Sequence, residues 1–118
     1  MILFNILLIL FIHYFADFIC QTRWMAENKS KNVTALTSHV LVYSLVMFLA
    51  LFGIFEIQSV CIFIGINAIL HWMTDFLTSK ATSYFWSKKD TFKFFATIGL
   101  DQYIHQVCLI STAYFLFR

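Results

Sequence analysis

The sequence predicts an all-α integral membrane protein, a bundle of four membrane-crossing helices, and three observations predict it. Of the 118 residues 61% are hydrophobic and only 12% charged, too few polar residues to cover an ordinary water-soluble domain. Four apolar runs, residues 2–22, 34–54, 58–79 and 94–117, each reach the roughly 20 residues that a bilayer-crossing helix needs. Basic residues gather in alternate connections between these runs, as topology signals do.

The first run carries only Asn5 as a polar residue before His13. It lacks the basic start and small-residue cleavage site of a secretory signal and holds an ionisable pair, so a retained helix is expected. Arg23, Lys29 and Lys31 follow it, with Trp24 beside them. The second run carries His39 and is joined by a short connection to the third, which carries His71 and Asp75. Lys80, Lys88, Lys89 and Lys93 come next, with Trp86, and the fourth run holds Asp101 and His105 and ends at Arg118. The positive-inside rule then puts both basic loops in the cytoplasm and both termini outside, with the tryptophans as interfacial anchors.

There is no proline and no linker long enough to separate domains, so residues 1–118 read as one domain with sequence neighbours antiparallel. Cys20, Cys61 and Cys108 lie singly in different runs, which gives neither a disulfide framework nor a zinc ribbon. Two glycosylation sequons, at Asn28 and Asn32, fall in a loop expected in the cytoplasm and carry no weight.

Ionisable residues within a bilayer are costly, by about 2.5–3.5 kcal/mol for a central Asp, Lys or Arg on insertion scales, so each needs a reason. His13, Asp17, His39, His71, Asp75, Asp101 and His105 all need one. In "HYFAD", "HWMTD" and "DQYIH" the His and Asp are four residues apart, which places them on one helix face, one turn apart. Counted from the basic loops, Asp17, His39, Asp75 and Asp101 form one layer, and His13, His71 and His105 lie one turn deeper. The order in the fourth run is reversed, as an antiparallel helix requires if its Asp is to stay in that layer. All seven can converge in one half of the bundle core. "HYFADFICQT" and "HWMTDFLTSK" also suggest a weak internal repeat, two helical hairpins related by an axis along the membrane normal.

Imidazole and carboxylate together suit zinc, manganese or iron, and carboxylate-rich sites on facing helices can hold two ions. A divalent ion also offsets Asp charges that would otherwise be buried unpaired. Zinc is the first choice on ligand type, as one or two ions, with all seven residues as candidate ligands. His39 is either a ligand or a general base, and Asp101 is either a ligand or the group that orients a water. Gln21, Cys20, Asn67, Ser79 and Tyr43 are candidate supporting partners. Two other readings of the cluster stay open: interhelical hydrogen bonding alone, and a metal-free proton or ion pathway. Haem ligation by paired histidines is disfavoured by three neighbouring carboxylates.

With these motifs placed, "HYFADFICQTRWMAENKS", "HWMTDFLTS" and "GLDQYIHQ" resemble an uncharacterised family of small bacterial and phage inner-membrane proteins, across nearly the whole chain. More remotely, two His-x-x-x-Asp motifs on helices resemble those of membrane-bound metal-dependent hydrolases and of the zinc phospholipase C and P1 nuclease group, which cleave phosphoesters with clustered zinc ions. That resemblance implies zinc ligation by His13, Asp17, His71 and Asp75. The soluble enzymes also ligate through a mature N-terminal Trp, whereas this chain begins Met1-Ile2, so metal binding is implied more directly than hydrolysis.

The leading expectation is an inner-membrane metal-dependent hydrolase acting on a lipid or phosphoester from the cytoplasmic side. The competing expectation is a metal-ion or proton transporter or binding protein, which predicts polar residues continuing outward; only Asn5, Ser111 and Thr112 do so. A small accessory membrane subunit is the third. Expected partners are membrane lipids, with a homo-oligomer allowed and no nucleic acid. The lysines of "SKKDTFK" serve equally as a topology signal or as a contact for anionic headgroups.

Overall fold

The computed structural model describes residues 1–118 and is helical throughout, joined by short turns. Helix α1 (Ile2–Tyr14) runs into a π-helical turn (Phe15–Ile19). A short α2 (Arg23–Asn28) precedes the three long helices α3 (Val33–Leu51), α4 (Ile57–Ser87) and α5 (Thr91–Leu116). Three segments, Ile2–Ile19, Val33–Leu51 and Ile57–Ser87, are long and apolar enough to cross a membrane.

Capping residues explain the helix starts. Thr22 Oγ1 accepts from the Met25 amide at 3.2 Å and opens α2, and Asn32 Oδ1 accepts from Thr34 at 2.8 Å and opens α3. Asp90 Oδ1 accepts from Lys93 and opens α5. Glu56, which reads from the sequence as a solvated loop residue, opens α4 by accepting from the amides of Gln58 and Ser59 and from the Ser59 hydroxyl.

Two expectations change at the polar end of the molecule. The first run does not continue helically to residue 22. Phe15 O accepts from Cys20 N at 3.0 Å, the i→i+5 bond of a π turn, and Thr22 then adopts extended backbone in order to cap α2. The third run does not stop at residue 79 before a long loop. Residues 80–87 contain no Gly or Pro, so nothing interrupts the helix until Lys88, and the turn is completed by Lys89 at φ +57°. The 31 residues of α4 span about 46 Å at 1.5 Å per residue, well beyond the roughly 30 Å of a bilayer's hydrocarbon core.

Helix α1 and the three long helices pack so that each meets two others: α1 on α3 and α5, and α4 on α3 and α5. Their shared interior has two halves. One is apolar, built from Ile9, Met47, Leu51, Val60, Phe63, Leu109, Ala113 and Phe117. At that end Asn5 Nδ2 donates to the Phe117 carbonyl at 3.1 Å, tying α1 to the end of α5. The other half is polar, and eight of the 23 buried residues are polar or ionisable. The outside is the reverse: Leu7, Phe11, Leu41, Leu45, Leu49, Ile62, Ile69 and Leu77 are all exposed. An oily exterior around an ionisable interior inverts the usual soluble pattern and is compatible with a membrane protein.

The hydrogen bonds from Ser59 and Gln58 hold the Glu56 carboxyl below its ordinary 4.5. A lowered folded value means that the cap is intact above 4.5 and is lost as pH falls through that lower value. The amide resonances of Gln58 and Ser59, followed by NMR in detergent, should therefore titrate with a midpoint below 4.5. A midpoint at or above it would contradict this account of the cap.

Candidate metal centre

Side chains from α1's π turn, α3, α4 and α5 meet in the polar half. On α4, His71 and Asp75 share one face, and on α5 Asp101 and His105 do so, as four-residue spacing dictates. His39 Nε2 lies 3.0 Å from Asp17 Oδ1, 3.1 Å from His71 Nε2 and 3.3 Å from Asp75 Oδ2. His71 Nε2 lies 3.4 Å from each of the same two carboxylate oxygens. All four residues are buried, and their four donor atoms could hold a metal ion.

Of these contacts, those of His39 Nε2 with Asp17 Oδ1 and with His71 Nε2 are hydrogen bonds and the rest are close ion-pair contacts. Each imidazole nitrogen carries at most one hydrogen, so the two Nε2 atoms face the same two carboxylate oxygens with two hydrogens at most between them.

Asp75 also extends the group, since its other oxygen, Oδ1, lies 3.0 Å from His105 Nε2. His105 Nε2 in turn is 3.3 Å from Asp101 Oδ1. Asp17, Asp101 and His105 form a second set of atoms close enough to share an ion, so Asp17 belongs to both sets. The imidazole of His71 stacks on that of His105 and meets the Tyr43 ring at a tilt on its other contact, each with ring centroids 4.2 Å apart, which fixes its plane.

Three residues that the sequence did not single out hold these side-chain atoms in place. Gln102 is the hub: its amide nitrogen donates at 3.0 Å to Asp17 Oδ2 and at 3.0 Å to Asp101 Oδ2, which fixes which end of the amide is oxygen. That oxygen can only accept, so His13 Nε2 donates to it at 3.0 Å, and the Tyr43 hydroxyl donates to His13 Nδ1 at 2.8 Å. Thr78 donates to Asp101 Oδ1. Lys29, from the turn after α2, reaches Asp75 Oδ2 at 3.1 Å. Gln102 did carry a signal, being an amide beside Asp101 within an apolar run; Lys29 read only as a topology charge.

Six of the seven expected residues thus fall into the two sets, and His13 does not. Both of its ring nitrogens are engaged by neutral partners, and Nε2 is 3.9 Å from Asp17 Oδ2. Among the expected supporting partners, Tyr43 contacts the cluster. Asn67 instead bonds Phe63 O and Thr112, and Cys20 is outside both sets.

The cluster is reached from one side by a cavity of about 740 Å³. Asp17, Asp101 and Gln102 form its floor, α2 and the turn after it one wall, and the α4 overrun another. Towards the other end of the molecule the interior is closed by Phe63, Leu109 and Met47.

The fold and site therefore define a helical protein, apolar outside, with a buried His/Asp group able to hold a metal ion. The chain belongs to the family described as "Protein of unknown function (DUF3307)", which matches residues 3–118. No curated protein and no solved structure matches it. The small uncharacterised family expected from the motifs thus stands on a match across nearly the whole chain.

Replacing Gln102 with Leu removes three hydrogen bonds and strands Asp17 Oδ2, Asp101 Oδ2 and His13 Nε2. At about 1–3 kcal/mol for a buried group left unpaired, the change should clearly lower the thermal midpoint in detergent. A control change on the exposed side of α3, Leu45→Ala, should move it far less. Equal shifts in the two variants would show that Gln102 is not a hub.

Proposed function

We propose that this protein is an integral membrane metal-dependent hydrolase, a four-helix bundle whose cluster holds one or two divalent ions, zinc first among them. The observation that carries the reading is the convergence of His39, His71, Asp17 and Asp75. With about 2.0–2.2 Å from zinc to His nitrogen or carboxylate oxygen, a regular tetrahedron has edges of about 3.3–3.6 Å. Five of the six edges among these four atoms are 3.0–3.4 Å. Asp17, the residue common to both sets, would be the carboxylate shared between two positions if two ions bind.

Such an ion, when bound, supplies Lewis-acid activation of water and of an ester oxygen. The residues around it do the rest. His39 and His71 are read as ligands, since each presents Nε2 to the shared focus. Asp101 is the carboxylate at the cavity floor, where it can orient a water and take its proton. Gln102 holds Asp101 and Asp17 in register, and Lys29 offsets charge on Asp75. His13 is read as the support of Gln102 in place of a direct ligand.

In this reading α1, α3, α4 and α5 all cross the bacterial inner membrane, with the basic turns in the cytoplasm and both termini outside. Lys29, Lys31, Lys80, Lys88, Lys89 and Lys93 lie at the cavity end, and the positive-inside rule puts that end in the cytoplasm. A substrate lipid or phosphoester would then arrive from the cytoplasmic leaflet. The apolar closure beyond the cluster favours this one-sided site over a transport pathway. The two His-x-x-x-Asp motifs each give a carboxylate to His39, which fits a bundle of two related hairpins.

Elemental analysis of detergent-purified protein should find one or two divalent ions per chain, lost in the His71→Ala, Asp75→Ala double variant. A metal-free wild type would sink the reading. On a panel of lipids and soluble phosphoesters the wild type should release product. Asp101→Asn should keep the ion held by the four-atom set yet turn over about 100-fold more slowly. Turnover unchanged by Asp101→Asn would remove that residue from the chemistry.

A further inference from the structure

The wall of the cavity is unevenly satisfied, and the imbalance describes a ligand. Five hydroxyl residues of α4 line it: Thr78, Ser79, Thr82, Ser83 and Ser87. Thr78 is spent on Thr74 O and Asp101, Thr82 on Ser79 O, Ser83 on Ser30 Oγ and Ser87 on Tyr84 O. Ser79, only 6% exposed, has no partner for its hydroxyl. Across the cavity Gln21 Oε1 is equally without a donor.

The charges sort in the same way. Glu27 is taken by Arg23 at 2.7 Å and Lys29 by Asp75 at 3.1 Å. Lys31 lines the cavity and makes no ion pair. One hydroxyl donor and one cation are therefore free for an acceptor-rich anion, and one amide oxygen is free for a donor on the same ligand. Phe18, Trp86, Phe94 and Ile98 complete the lining with apolar surface, and Phe18 and Trp86 are exposed at its edge. About 740 Å³ falls within the range of small-molecule sites, roughly 300–1,000 Å³, and is far more than a bare phosphate fills.

We propose that this cavity binds a phosphoester headgroup, its phosphate oxygens accepting from Ser79 and Lys31 and a hydroxyl or ammonium beside the phosphate donating to Gln21. The placement rests on the metal reading above, because Asp17 and Asp101 at the floor repel a phosphate unless a cation offsets them. The same chemistry belongs to a lipid headgroup and to a free glycerol phosphate.

Two probes separate the sources, each measured on metal-supplemented wild type and on the Ser79→Ala and Lys31→Gln variants. One is sn-glycerol 3-phosphate titrated calorimetrically in detergent. The other is phosphatidylglycerol against phosphatidylcholine in nanodiscs, read by quenching of a tryptophan retained at Trp86, with Trp24 and Trp72 replaced by Phe. Either probe should bind about tenfold more weakly in each variant, as loss of a hydrogen bond to a charged group implies. Binding of the soluble ester identifies a free phosphoester, and binding of the lipid alone identifies a headgroup. No binding of either probe, or affinity unchanged in both variants, would overturn the proposal.

Metal content measured on the same samples keeps the two readings apart. Bound metal without phosphoester binding rejects only the headgroup site. Phosphoester binding sensitive to Ser79 and Lys31 in protein that holds no metal rejects the metal centre instead.

Discussion

Two carboxylate oxygens and two imidazole nitrogens held within 3.4 Å of their neighbours, inside a molecule with an apolar exterior, is the constraint on which the rest of this structure depends. Charge removed from water must be paired and fully hydrogen-bonded or it destabilises the fold. Each carboxylate is accordingly engaged at both oxygens: Asp17 by His39 and Gln102, Asp75 by His105 and Lys29, Asp101 by Thr78 and Gln102. These partners come from several helices and a turn, so the cluster ties the helices together at this end as the apolar contacts do at the other.

The departures from regular helix sit where that cluster needs them. The π turn at Phe15–Ile19 carries Asp17, and single π turns are frequent at functional sites. The break after it turns the chain into α2, which brings Lys29 back to Asp75. The overrun of α4 past Ser79 raises a wall opposite α2, and bonds from Lys80 and Ser83 to Ser30 hold the two walls in register. A cavity then follows above the cluster at one end only, while Phe63, Leu109 and Phe117 fill the other.

Much of this is legible residue by residue. His71 with Asp75, and Asp101 with His105, meet because a four-residue spacing returns to the same face of any α-helix. The reversed order in α5 follows from antiparallel neighbours, which short connections impose. Asp90 and Glu56 sit immediately before their helices, where a carboxylate caps the first turn, although Glu56 taken alone reads as a solvated loop residue. The α4 overrun was legible too, in the absence of Gly and Pro from residues 80–87, but Lys80 read more readily as the start of a basic loop.

What the sequence by itself determined is the helical, apolar character of the chain and the gathering of His and Asp at one depth, because hydropathy and helical period are local and fix which residues share a face and a height. Only the tertiary structure decided which of those residues share an atom-scale focus. His13 and His71 occupy equivalent positions in matching motifs, yet one hydrogen-bonds to Gln102 and Tyr43 while the other joins the four-atom set. That choice depends on helix rotation and separation, and the reach of Lys29 depends on the path of the turn after α2. Neither quantity is periodic along the chain, since each is set by how the helices pack against one another.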